Sequence, residues 1–159
     1  MAELSQTPEI TADRRKKALA LDVGRARIGL ALTDDRVELA LAWQVLERRG
    51  TRLDLQQLLP MAARQGVQVL VVGWPPQDGA EDRSAQLARG FAQALADAQP
   101  LAVWLVDEAD STQEAHQDLR QLGMSAAKRR KEVDKHAAKV ILDRWLAGAA
   151  AQRVEPKAL

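Results

Sequence analysis

Apolar runs and polar breaks alternate along the chain in a way that assigns most of its elements. ALALDVG over 18–24 predicts a strand and RIGLALTDD over 27–35 a second. The short link from Gly24 to Arg27 fits a hairpin. A third strand is predicted over 37–46, ending at the polar turn Glu47 to Gly50. Leu53, Leu58, Leu59 and Ala62 predict a helix up to Gly66, which Pro60 kinks or divides by removing a donor. VQVLVVGW over 67–74 is continuously apolar, the pattern of a strand buried on both faces. After the loop PPQDGAED, Leu87, Phe91, Ala94, Leu95 and Ala98 recur at helical spacing until Pro100. LAVWLV over 101–106 predicts another buried strand. Ser111-Thr-Gln-Glu114 is a capping box opening a helix to Leu122, with Gly123 as its stop. A basic loop then leads into a last helix over 132–148. Residues 1–13 are expected as a flexible tail and 149–159 as a frayed one, leaving one domain over 14–148. The order β-β-β-α-β-α-β-α predicts an α/β fold with a mixed five-stranded sheet, three antiparallel strands followed by two parallel ones, and helices on its faces.

Composition agrees with one globular domain. The chain has 159 residues, 47% hydrophobic and 28% charged, and its four Trp, one Phe and no Tyr leave the core to aliphatics and alanine. No apolar run is long enough to span a membrane, and MAELSQTPEITADRRKK lacks the apolar stretch of a signal peptide. The expectation is a soluble, cytoplasmic protein with no membrane partner. The absence of cysteine excludes disulfides, thiolate metal sites and thiol nucleophiles. Net charge is only +1, but two basic runs stand out, Arg14-Arg15-Lys16-Lys17 and Lys128-Arg129-Arg130-Lys131. Either run alone reads as a solvated segment; the pair points to a positive face for phosphates.

Three acids sit where acids are costly. From Asp134, the positions three, four, seven, eight and eleven further on are Ala137, Ala138, Ile141, Leu142 and Trp145, one apolar helix face. Asp134 therefore ends the core-facing stripe, where a carboxylate must be paired or bind metal. A salt bridge to a neighbouring basic residue is the competing explanation. Asp22 ends an apolar strand before Gly24; taken alone, Asp-Val-Gly is explained as turn chemistry. Glu108 closes the second buried strand, at the edge where α/β folds place ligands, while Asp107 points to the opposite face. Asp110 and Glu114 are equally well read as helix N-terminal acids. Together Asp22, Glu108 and Asp134 form a candidate cluster that only a divalent cation would neutralise. Hard oxygen ligands suit Mg²⁺ or Mn²⁺, and a pair of such ions supports phosphodiester hydrolysis.

Other chemistry is thinner. His116 and His136 lie on different predicted helices without a third histidine, which argues against zinc. Ser111 and Thr112 are accounted for by capping, and there is neither a GxSxG elbow nor a Walker A motif. Trp43, Trp104 and Trp145 read as core anchors, whereas Trp74, before Pro75-Pro76, is placed to stack on a base.

Three blocks resemble the YqgF/RuvX family, RNase H-like nucleases related to the Holliday junction resolvase RuvC. ALALDVGRARIGLALTDD is similar to the family's opening strand pair with its D-x-G and downstream I-G. VLVVGWPPQDGAEDRSAQLARGFAQAL is similar to its V-G-x-P block. VWLVDEADSTQEAHQDL followed by KRRKEVDKHAAKVIL is similar to its D-E-R-x-[ST]-T and V-D-x-x-A-A blocks. The resemblance spans about 18–147 and implies an RNase H-like fold in which Asp22, Glu108 and Asp134 are catalytic and hold two Mg²⁺ or Mn²⁺ ions. It implies trimming of pre-16S ribosomal RNA on ribosomal precursor particles, with branched DNA as the older substrate. Gly24 would let the backbone approach a phosphate, Arg25 and Arg27 would contact it, and Gly73 and Pro75 would shape the adjacent loop. Lys128, Arg129, Arg130 and Lys131 would bind the strand beyond the scissile bond. The family's arginine after Glu108 is replaced by Ala109 and Asp110, so another cation, Arg25 or Lys135, would have to take its place, and Asp110 is a possible extra metal ligand.

Two other classes remain open. Actin-like ATPases and sugar kinases share the strand–D-x-G–hairpin opening but need two such domains to close over a nucleotide. A non-catalytic RNA-binding assembly factor would keep the acids without turnover. No exposed apolar stripe announces an interface, so monomer and homodimer are both open.

Overall fold

The structure is a computed structural model and describes residues 9–75, 83–107 and 126–157, with the side chains of 126, 127, 130 and 131 left aside. Six strands form one sheet: β1 (Ala18–Val23), β2 (Arg27–Thr33), β3 (Ala40–Glu47), β4 (Val69–Trp74), β5 (Ala102–Asp107) and β6 (Ala151–Val154). The helices are α1 (Thr51–Arg64), α2 (Arg83–Ala98) and α3 (Ala126–Leu146). The strand order is β3-β2-β1-β4-β5-β6. β1, β2 and β3 pair antiparallel, β1, β4 and β5 pair parallel, and β6 returns antiparallel to β5. The mixed α/β sheet is as the sequence predicts, with one strand more. The predicted helix over 111–122 lies outside the described residues.

Strand alternation divides the core between two faces. Leu19, Leu21 and Val23 of β1 pack with Leu58 of α1 and with Phe91 and Leu95 of α2. Ala18 and Ala20 face the other way and pack with Ala138, Ile141, Leu142 and Trp145 of α3. The side under α3 is built of small residues, so this helix lies close to the strands. The stripe read from the sequence is the buried one: Ala137, Ala138, Ile141, Leu142 and Trp145 are all fully buried.

Several expectations are corrected. The tail expected to fray over 149–159 contains β6, whose Val154 pairs with Val103. In residues 151–154 only Gln152 is exposed and the other three are half-buried, too short and weakly apolar a segment to announce a strand without the β5 edge that receives it. The expected loose N-terminus is helical over 9–13. Asp13 there is 5% exposed and accepts a hydrogen bond from Trp104 Nε1 at 2.8 Å. α1 is continuous through Pro60. Pro60 and Gln56, whose carbonyl loses its donor, are both exposed. The segment 126–131, expected as a basic loop, belongs to α3, so Lys128 to Lys131 occupy its first turns.

Candidate active site

The two acids that the structure describes converge, and a glycine shows how. Asp22 on β1 stands directly opposite Gly29 on β2. Directly opposed residues of an antiparallel pair share a face. A Cβ built on Gly29 would lie 1.8 Å from the Asp134 carbonyl oxygen and 2.3 Å from its carbonyl carbon. The backbone of α3 therefore rests on Gly29 at Asp134, and Asp22 rises beside it on that face, continuing the line of Ala18 and Ala20. Asp22 is half-buried. Glu108, together with Ala109 and Asp110, lies outside the described residues, and among the described residues no three acidic or histidine side chains gather for a metal.

Asp134 is 22% exposed at its side chain and accepts a hydrogen bond from Arg27 Nε at 2.5 Å. The hydrogen bond, and then the carboxylate's charge, raise the Arg27 pKa above its ordinary value, so the guanidinium is permanently charged here. The salt bridge that the sequence offered as a competing explanation for Asp134 is thus present, with Arg27 as the partner. Pairing does not remove the carboxylate from metal chemistry: Oδ2 takes the guanidinium, and an ionised carboxylate has acceptor sites on both oxygens.

The remaining candidates fall into groups. Gly24 closes the β1–β2 turn, its N–H donating to Arg27 O at 2.9 Å. A Cβ on Gly24 would meet that oxygen at 2.9 Å, so the turn itself demands glycine. Arg25 is exposed at the turn's tip. Gly73 is buried in β4 and paired with Val106, while Pro75 follows the strand half-buried. Lys128 is exposed and Arg129 half-buried in α3; the side chains of Arg130 and Lys131 are outside the described set. Lys135 pairs with Glu132 at 3.1 Å. Trp74, expected to stack on a base, carries the Arg89 guanidinium 4.9 Å from its ring centroid, so one of its faces is already covered.

The first basic run does not join this site. It precedes β1, whereas Asp22 is near that strand's far end, about 15 Å away at 3.3 Å per residue. Arg14 donates to the carbonyls of Trp145 and Ala149, the latter at 2.6 Å, capping the C-terminal end of α3. Lys16 pairs with Asp13 at 3.0 Å and Lys17 with Asp35 at 2.9 Å.

Gly29, Arg48 and Asp54 are not among the candidates expected from the sequence. Gly29 was visible as a glycine inside a strand, the sign of a close backbone approach. Asp54 is 1% exposed on the α1 face that also buries Leu58 and Ala62. An acid four residues before Leu58 carries the same signal as Asp134 before Ala138. Leu53, one of the apolar positions that predict α1, is 51% exposed.

The sequence model of the family described as "RuvX: Holliday junction resolvase" matches residues 16–148. The chain belongs to the RuvX family. A RuvX relative from Anaeromyxobacter sp. (strain Fw109-5), named "Putative pre-16S rRNA nuclease", is 46% identical over 131 residues, covering 82% of this chain and 96% of its own. A relative of the same name from Symbiobacterium thermophilum is 40% identical over 136 residues, 85% of this chain and 94% of its own. Another, from Maridesulfovibrio salexigens, is 35% identical over 134 residues, 84% and 99%. Among solved structures, "T. thermophilus RuvC in complex with Holliday junction substrate" aligns with a TM-score of 0.54 over 86% of this chain and 99% of its own. At 13% identity that likeness establishes the fold alone, an RNase H-like one as the sequence blocks imply.

Proposed function

We propose that this chain is a metal-dependent nuclease that hydrolyses phosphodiester bonds, with the precursor of 16S ribosomal RNA as its substrate. One observation carries the reading: the packing of α3 on Gly29 brings Asp134 to the sheet face and strand position of Asp22. Their carboxylate oxygens are hard donors, which fit Mg²⁺ or Mn²⁺ better than softer metals. Asp22 and Asp134, with Glu108 as the third ligand, would hold two such ions. When bound, the ions lower the pKa of a water and take up charge on the leaving oxygen.

The chain's own residues do the rest. Arg27 holds the Asp134 carboxylate in place and offsets its charge near an incoming phosphate. Arg25, exposed at the tip of the Gly24 turn, contacts the phosphate itself. Lys128 to Lys131 lie three to six residues before Asp134, about 5–9 Å along the helix axis, and bind the strand on one side of the scissile bond. At the start of α3 these cations add to the positive end of the helix dipole, which further favours phosphate. Ribosomal RNA as substrate rests on the names of the relatives. The RuvX description favours a second reading, resolution of branched DNA.

The test is cleavage of labelled single-stranded RNA and of a four-way DNA junction with Mn²⁺, Mg²⁺ or EDTA, with Asp22→Asn run beside the natural protein. RNA cutting that needs both metal and Asp22 is the expected result. Preferred, symmetric cutting of the junction would replace RNA with branched DNA. Binding of either without cutting by the natural protein would overturn the nuclease reading in favour of an assembly factor.

A further inference from the structure

The Gly24 turn, which follows Asp22, lies beyond the point where β1 has a strand on both sides. The register of β1 with β4 ends at Leu21 and Val72, one residue short of Asp22. Beyond that point β1 is paired only with β2, through Asp22–Gly29 and Val23–Ile28. Arg48, just after β3, grips the turn at two carbonyls. Its backbone N–H donates to Ala26 O at 2.8 Å, and its Nη1 donates to Gly24 O at 3.0 Å.

The Arg48 guanidinium is itself fixed. Nε donates to Asp54 Oδ2 at 2.6 Å and Nη2 to Thr51 Oγ1 at 3.3 Å, both in the first turn of α1. The other oxygen of Asp54 accepts the Arg49 N–H at 2.9 Å. Arg48 Cζ lies 5.4 Å from the centre of the Phe91 ring of α2. α1, α2 and the turn thus meet on one planar fork, in a region where Asp54 is 1% exposed.

A buried ion pair is a poor source of net stability, because removing two charges from water offsets most of their attraction. Its planar donor fork instead fixes geometry. We infer that Arg48 and Asp54 are a positioning pair: they hold the Gly24 turn, and through it the end of β1, so that Asp22 keeps its place beside Asp134. This inference rests on the nuclease reading for its consequence in turnover, but not for its consequence in the turn itself.

The test compares the natural protein with the double variant Arg48→Met/Asp54→Leu, which replaces the pair by apolar groups and leaves neither charge unpaired. Amide hydrogen exchange is read in metal-free protein, and cleavage is read with Mn²⁺. The expected result is a thermal midpoint within a few degrees of the natural protein and exchange at the Gly24 amide about tenfold faster, with β4 and β5 unchanged. The kcat is expected to fall about tenfold or more while KM for nucleic acid stays within about twofold. If the double variant does not fold, Arg48→Lys takes its place: an ammonium can pair with Asp54 but lacks the fork that also spans to Gly24. A folded variant with unchanged exchange at the turn overturns the inference, as does faster exchange with unchanged kcat. A natural protein that cleaves nothing with any metal overturns the nuclease reading instead, and the exchange comparison still decides whether the pair holds the turn.

Discussion

Gly29 shows how much one missing side chain decides. With Asp134 O only 1.8 Å from where a Cβ would sit, Gly29→Ala cannot be absorbed by a rotamer change, because the obstacle is backbone. Either α3 lifts or β2 bends, and overpacking of this kind costs about 1–3 kcal/mol or more. The expected outcome is a lowered unfolding midpoint in urea together with lost metal-dependent cleavage; an alanine variant as stable as the natural protein would refute the close packing. Asp22 and Asp134 were legible because acids at the ends of apolar patterns are conspicuous. Arg27 was legible as a cation near the site, but its partner was not, since a side chain 107 residues away along the chain is chosen by packing. Glu108, expected from the same kind of signal, lies outside the described residues.

At the scale of elements, the strands and helices with strong periodicity among the described residues stand where the pattern put them, and two of the exceptions share a cause. β6 and the helical segment over 9–13 are short and weakly patterned, and each exists because it docks on something built elsewhere, β5 in one case and Trp104 in the other. The chain beyond β6 is tied to α2 by Asp97, which accepts the Lys157 backbone N–H at 2.8 Å and the Gln93 amide at 3.0 Å. Those bonds, the backbone one foremost, hold the Asp97 pKa below the ordinary carboxylate range. The same holds for Asp34 in the β2–β3 loop, which accepts from the N–H groups of Leu39 and Glu38. A depressed folded pKa contributes stability that is complete above the unfolded value and is lost as pH falls through the folded one. Acidification below the ordinary carboxylate range of about 4 should therefore release the Lys157, Leu39 and Glu38 amides to exchange before β1 and β4 open. Simultaneous opening of all of them would contradict this order.

Across the whole molecule, the two basic runs have parted company. Arg14 to Lys17 belong to the end of the sheet where α3 finishes, with Arg14, Lys16 and Lys17 engaged in local pairs and caps. Lys128 to Lys131 belong to the opposite end, beside Asp134. Nucleic-acid affinity measured against salt should separate them. Lys128→Ala with Lys131→Ala should flatten the plot of log K against log salt by about 0.7–0.9 per charge removed, whereas Lys16→Ala should leave the slope unchanged. Equal flattening by both sets would mean that the nucleic acid covers both ends. No helix among the described residues is long and apolar enough to cross a membrane.

The alternation of strands and helices, the apolar face of α3 and the acids that interrupt apolar patterns are all legible without a fold. Those properties are local: periodicity, capping and turn chemistry act over a few residues, and the cost of a buried carboxylate can be read from its neighbours. Which groups meet is set by packing between distant segments. The pairing of Arg27 with Asp134, the hold of Arg48 on the Gly24 turn and the seating of α3 on Gly29 all join segments that the chain keeps apart. Such contacts depend on how closely two elements approach, and that distance is set by side-chain volumes summed across the whole sheet rather than by any one stretch of sequence.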